Sequence, residues 1–250
     1  VGYMASVAKV SSFIVLARLS AVSIRFVIDK FELFFAAVVI LSALFGALFA
    51  TNQTDLKRLI AYSGFIQSCF ILSWITSGIN GIRASLFYLV TYVIQLIGLF
   101  YIFSLISGSL GSNFSVENLS GLFNNNKLIT IAFSVFMLGV AGLPLTSGFV
   151  SKFILITNLW SYEKYTLVVV LMLSTVAGFY FYLKPVWVAS TEKSEKELSI
   201  ISTTLSDKLV LIILSGLTIA LGLIPNTLIN ITRWMVESYL WCFLKLHLYQ

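Results

Sequence analysis

Residues 139–153 read Gly139-Val140-Ala141-Gly142-Leu143-Pro144-Leu145-Thr146-Ser147-Gly148-Phe149-Val150-Ser151-Lys152-Phe153. They lie inside an apolar stretch of more than 30 residues, from Leu128 to Trp160, in which Lys152 is the lone charge. A helix crosses a bilayer with about 20 apolar residues, so the stretch is long enough to span with length to spare. Proline removes a backbone donor and clashes with the preceding turn, which predicts a helix break near Gly142 and Pro144. Broken backbone at membrane depth persists only where protein or water satisfies the freed groups. A lysine at that depth costs roughly 2.5–3.5 kcal/mol on insertion scales and marks an ion path or proton relay. The alternative reading puts Lys152 at the membrane surface, its ammonium snorkelling outward.

Composition extends this reading to the whole chain. Apolar residues make up 59% of the 250, charged residues 10%, and the mean hydropathy is +0.98. A soluble domain carries about 25% charged residues. Leu33–Thr54, Leu59–Ile82, Ala84–Val116, Leu128–Ser151, Tyr165–Leu183 and Leu209–Thr232 contain no Asp, Glu, Lys or Arg. None alternates with the period of a membrane β-barrel, so the fold class is all-α integral membrane. With Gly2–Leu19 the expectation is seven spans, one of them discontinuous, followed by an amphipathic tail helix. Residues 1–225 then form one transmembrane bundle and 226–250 the tail, where Arg233, Glu237 and Lys245 alternate with apolar residues. The patch Arg25–Glu32 reads as a surface loop, and Glu192–Glu197 as another.

The net charge of +6 is spread over short connections, as expected of topology signals. No basic run with interleaved aromatics suggests a nucleic-acid surface. Cys69 and Cys242 fall in apolar segments without metal-ligand spacing, and His247 has no companion histidine. The chain has no phosphate-binding glycine loop, cysteine cluster or haem-type histidine pair, so no cofactor or metal site is expected within it.

Lys9 is a second intramembrane candidate, near the middle of the first span beside Ala8, Ser11 and Ser12. Small residues there let other helices approach closely. The proton affinity of a lysine responds to burial, which suits it to proton exchange. Equally, Lys9 lies close to the chain start and can reach the surface. No carboxylate falls inside any predicted span, so the two lysines have no acidic partner in this chain. Tyr62, Gln67, Tyr92, Gln95 and Thr146 either extend a hydrogen-bonded path or make ordinary helix–helix contacts.

Three strings resemble one family. Gln53-Thr54-Asp55-Leu56-Lys57-Arg58-Leu59-Ile60-Ala61-Tyr62-Ser63 is similar to the Q-T-x-[IL]-K-R-[IL]-[IL]-A-Y-S signature of the antiporter-like subunits of respiratory complex I. Glu117-Asn118-Leu119-Ser120-Gly121-Leu122 resembles their D-L-x-G-L loop. Gly142-Leu143-Pro144, Gly148-Phe149 and Lys152-Phe153 resemble the G-L-P-x-x-x-G-F-x-x-K-[FW] pattern of their broken twelfth helix. Within the family, Tyr88-Leu89-Val90-Thr91-Tyr92 and the terminal lysine of the broken helix are similar to the chain-2 type.

The resemblance implies the C-terminal half of such a subunit, helices eight to fourteen, in a mitochondrial inner membrane. It implies that Lys9 and Lys152 belong to a charged axis along which protons move. NADH, FMN, iron–sulfur clusters and ubiquinone are then expected elsewhere in the complex. Membrane lipids and the other membrane-arm subunits are the implied partners. The fifth-helix glutamate and seventh-helix lysine of the family have no counterpart here, so a separate chain supplying the missing helices is expected. Two other classes share these features: a subunit of a multi-subunit cation/proton antiporter, and a structural membrane fragment whose lysines only lock packing.

Overall fold

The computed structural model describes residues 2–19, 25–110, 115–192 and 203–248. The described residues are helical almost throughout: α1 (Gly2–Leu19), α2 (Arg25–Thr51), α3 (Leu56–Leu72), α4 (Gly78–Leu110), α5 (Leu122–Asn125), α6 (Lys127–Ala141), α7 (Ser147–Ser161), α8 (Tyr165–Thr191), α9 (Leu205–Leu223) and α10 (Asn226–Leu248). Among them, five helices are long and apolar enough to cross a membrane, in α2, α3, α4, α8 and α9. α1 and α6 hold shorter apolar segments. The chain is an all-α, multi-pass integral membrane protein.

Helix boundaries follow local chemistry. Asp55 caps α3 by accepting from the Arg58 amide at 3.0 Å, and Asn126 caps α6 by accepting from the Ile129 amide at 3.2 Å. Thr204 and Asp207 form a reciprocal capping box at the start of α9. Connections on this side of the bundle are tied together. Val116 donates to the Thr54 carbonyl, Gly121 to the Glu192 carbonyl, and Asn126 to the Thr203 hydroxyl. On the opposite side the α7–α8 turn meets α2 through an ion pair of Lys164 with Glu32.

One sequence expectation fails here. Arg25–Glu32 is not a loop but the first two turns of α2. Phe26, Val27, Ile28 and Phe31 keep apolar residues recurring through the charged patch, so the helix leaves the apolar zone without unwinding. The Glu192–Glu197 loop, apart from Glu192, lies outside the described residues, as do the side chains of Asp29, Cys242, Lys245 and His247.

The predicted discontinuity is present between α6 and α7. α6 ends at Ala141, and Gly142 follows with φ 89°, a left-handed conformation that glycine adopts without a Cβ penalty. The Leu143 amide donates back to the Leu138 carbonyl at 2.9 Å, closing the last turn. Leu145 is also left-handed, with φ 77°, a strain of roughly 1–2 kcal/mol that the flanking contacts hold in place. α7 then starts under Thr146, whose backbone carbonyl accepts from the Phe149 amide. A Cβ at Gly148 would lie 1.8 Å from the Gly139 carbonyl oxygen, so the two half-helices pass at backbone contact there.

Candidate functional site

Lys152 projects from α7 toward the end of α6 and is 6% exposed. Its Nζ donates to the carbonyls of Val140 at 3.1 Å and Ala141 at 2.8 Å. These are the last-turn carbonyls that an α-helix leaves without an intrahelical partner. A cation at that end also meets the negative pole of the helix dipole. The Phe70 ring lies 5.4 Å from Nζ and supplies a cation–π face. The structure thus places the lysine inside the bundle rather than at its surface.

Lys9 sits part-buried on α1. Its Nζ donates to the Gly64 carbonyl on α3 at 2.8 Å and to the Tyr92 hydroxyl on α4 at 3.2 Å. Phe13, one turn on, packs edge-on against Trp74 and holds α1 to the end of α3. Ser11 and Ser12 are exposed and return their hydroxyls to the Ala8 carbonyl of their own helix.

Polar side chains lie between the lysines. Gln67 on α3 is 2% exposed. It accepts from the Tyr88 hydroxyl and donates to the Tyr182 hydroxyl on α8 at 3.2 Å and to the Val140 carbonyl at 3.4 Å. That carbonyl is the one shared with Lys152. Tyr88, Tyr92 and Gln95 follow one another at helical spacing on α4, and Gln95 donates to the Ser147 hydroxyl at 3.1 Å beside the break. Gln67, Tyr88, Thr91, Tyr92, Gln95, Val140, Gly148 and Ser151 line a narrow internal cavity with no room for the centre of a water molecule.

Lys9, Lys152, Gln67, Tyr92 and Gln95 therefore converge, with Gly142 and the break as one wall. Tyr62 does not join them: it is half-buried and stacks on Phe49 of α2, with ring centroids 5.7 Å apart. Pro144 is exposed at the tip of the break, and Thr146 returns its hydroxyl to the Leu143 carbonyl at 2.7 Å. The sequence reading missed Tyr88, Tyr182, Ser147 and Ser151. The i, i+4, i+7 repeat of Tyr88, Tyr92 and Gln95 carried a signal for Tyr88, whereas nothing local to α8 distinguished Tyr182 from its neighbours.

Chemically the assembly can hold an excess proton on either lysine, and the polar side chains form two separate hydrogen-bonded groups, Lys9 with Tyr92, and Gln67 with Tyr88, Tyr182 and the Val140 carbonyl shared by Lys152. Among the described residues, no carboxylate takes part in these contacts, and no group of three or more His, Cys, Asp or Glu side chains is placed to hold a metal ion.

Residues 3–178 match the family described as NADH:quinone oxidoreductase/Mrp antiporter, transmembrane. NADH-quinone oxidoreductase subunit N of Mycobacterium tuberculosis is 33% identical over 236 residues, 92% of this chain and 44% of that protein. Among solved structures, a chain of respiratory complex I from Thermus thermophilus with bound aureothin superposes with a TM-score of 0.70 at 27% identity, covering 78% of this chain and 44% of that one. A chain of the Mrp complex from Dietzia sp. shares the fold with a TM-score of 0.74 at 22% identity, over 88% of this chain and 49% of that one. The chain spans about half the length of the relatives that it matches. It belongs to the NADH:quinone oxidoreductase/Mrp antiporter transmembrane family.

Proposed function

We propose that this chain forms the C-terminal half of the chain-2-type antiporter-like subunit of NADH:ubiquinone oxidoreductase, and that Lys9 and Lys152 carry protons through the membrane arm. One observation carries the reading. Two lysines, each held by backbone carbonyls, flank a polar cavity in the interior of a membrane bundle. Membrane-buried ionisable groups mark ion and proton pathways. Quinone reduction elsewhere in the complex shifts charge along the arm, and the protonation of the two lysines responds. Transfer between them requires the cavity to widen enough to admit water, because an amide side chain such as Gln67 does not itself exchange protons at neutral pH.

NADH, FMN, iron–sulfur clusters and ubiquinone bind other subunits in this reading, and the membrane is a mitochondrial inner membrane. The helices that complete the channel lie outside these 250 residues. Mass spectrometry of the purified complex distinguishes a longer form of this chain from a separate polypeptide bearing them. The decisive measurement is proton pumping in vesicles with Lys152→Ala. Pumping falls while the complex stays assembled; unchanged pumping removes Lys152 from the path.

The likeness to the Mrp complex supports a second reading, a cation/proton antiporter subunit. Co-purification discriminates between them. Flavin and iron–sulfur proteins accompany the chain in the first case and are absent in the second.

A further inference from the structure

At one end of the bundle α2 and the start of α8 part and leave a groove of about 520 Å³, within the size range of small-molecule sites. Glu32, Glu163, Lys164 and Thr166 line its polar end. Leu33, Ala36, Ala37 and Ile40 line the apolar wall, at i, i+3, i+4 and i+7 along one face of α2. The two alanines are what keep the wall open, because a longer side chain at either position would fill it. The membrane-spanning stretches of both helices begin here, at Glu32 of α2 and Tyr165 of α8. Trp160, Tyr162 and Tyr165 are exposed at the same turn, and Trp160 packs edge-on against Tyr165. Exposed Trp and Tyr side chains are typical of the membrane–water boundary. The groove therefore has its polar end at headgroup level and its wall in the apolar zone.

Charge selects what fits. Glu32, Glu163 and Lys164 give the polar end a formal charge of −1. Lys164 is paired with Glu32, whereas Glu163 has no ion pair among the described residues and is exposed. An approaching cation with N–H donors gains from that carboxylate, and a purely anionic headgroup is repelled. Beside it, Lys164 is the N-cap of α8 and no side chain caps the helix. The first amides of an α-helix lack intrahelical partners, and the positive pole of this 27-residue helix lies at the same end. The groove thus asks for a cationic donor and an anionic acceptor close together on an apolar tail. Phosphatidylethanolamine carries all three. Phosphatidylcholine has the two charges but no N–H, and phosphatidylglycerol has no cation.

We propose that this groove binds one phosphatidylethanolamine molecule, with its ammonium at Glu163, its phosphate at the start of α8 and an acyl chain along Leu33, Ala37 and Ile40. The test uses phosphatidylethanolamine, phosphatidylcholine and phosphatidylglycerol that carry the same diazirine near the acyl carbonyl. Each is loaded in equal amount into native membranes holding the assembled complex. After illumination, adducts on residues 33–40 are mapped by proteolysis and mass spectrometry and normalised to total labelling of the complex. Phosphatidylethanolamine labels this segment about threefold more than either other lipid, the scale of one exposed ionic contact. Glu163→Gln brings it down to the phosphatidylcholine level, and Glu163→Lys turns the preference toward phosphatidylglycerol. Ala37→Trp fills the groove and lowers labelling by all three lipids. Equal labelling by the three, no labelling because another subunit covers the groove, or a preference that neither Glu163 variant moves overturns the proposal. The readout needs no turnover, so a failed pumping test at Lys152 leaves it unaffected.

Discussion

The α6–α7 break and the turn between α9 and α10 are satisfied in opposite ways. Between α6 and α7 the last carbonyls of α6 find their partners within the chain: Gly142 and Leu143 amides serve the Leu138 and Gly139 carbonyls, and Lys152 serves Val140 and Ala141. Between α9 and α10, Asn226, Asn230 and Arg233 are exposed, while Thr227 and the buried Thr232 turn their hydroxyls back onto the Ile224 and Ile229 carbonyls. A break closed from within can hold a charge in a fixed place, which suits transfer chemistry. Among the described residues, the turn between α9 and α10 holds no buried charge, and its asparagines and Arg233 lie at the bundle surface.

The comparison breaks most severely at Gly148. Gly148→Val forces α6 and α7 apart at their backbone contact and costs about 3 kcal/mol or more. The thermal unfolding midpoint of the purified complex falls well below that of the parent, and an unchanged midpoint shows that the two half-helices are not wedged together. Lys152→Met keeps the bulk of the side chain but leaves the buried Ala141 carbonyl without a donor and Val140 with the long Gln67 contact alone, a loss of about 1–3 kcal/mol by the same measurement. No loss there means that water or another side chain can close the break, and the contrast between the break and the turn disappears.

Gly142→Ala tests the left-handed residue. It costs about 1–2 kcal/mol, and Gly142→Asn costs less because asparagine tolerates that conformation. Equal costs for the two variants argue that the Cβ contact with the Lys152 side chain, 3.0 Å from its Cδ, decides the effect rather than the backbone. Arg83→Ala, at the partly exposed pair with Glu237, changes stability by about 1 kcal/mol or less. A larger loss moves that pair from fastening α10 to supporting the whole α4 end.

Much of this was legible in the chain itself. The runs without charges gave the spans, and Gly142, Pro144 and Lys152 together gave the break and its cation. The contact of Gly222 with Leu145 and Ser147 was not legible, because it joins residues more than 70 positions apart. The same reason hid Tyr182, which reaches Gln67 from 115 residues away. Arg25–Glu32 misled because charge reports contact with water, and a helix that projects past the apolar zone is charged without being a loop.

The Lys152 contacts also obey a simple valence count. An ammonium carries three N–H bonds, and its surroundings offer two carbonyl oxygens and one ring face. A neutral amine keeps two N–H bonds and gains a lone pair. If the carbonyls retain the two hydrogens, the lone pair is left toward the electron-rich face of Phe70, and attraction there becomes repulsion. The amine must therefore turn when its proton leaves. Because the Val140 carbonyl also accepts from Gln67, that turn reaches Tyr88 and Tyr182 through a shared oxygen atom.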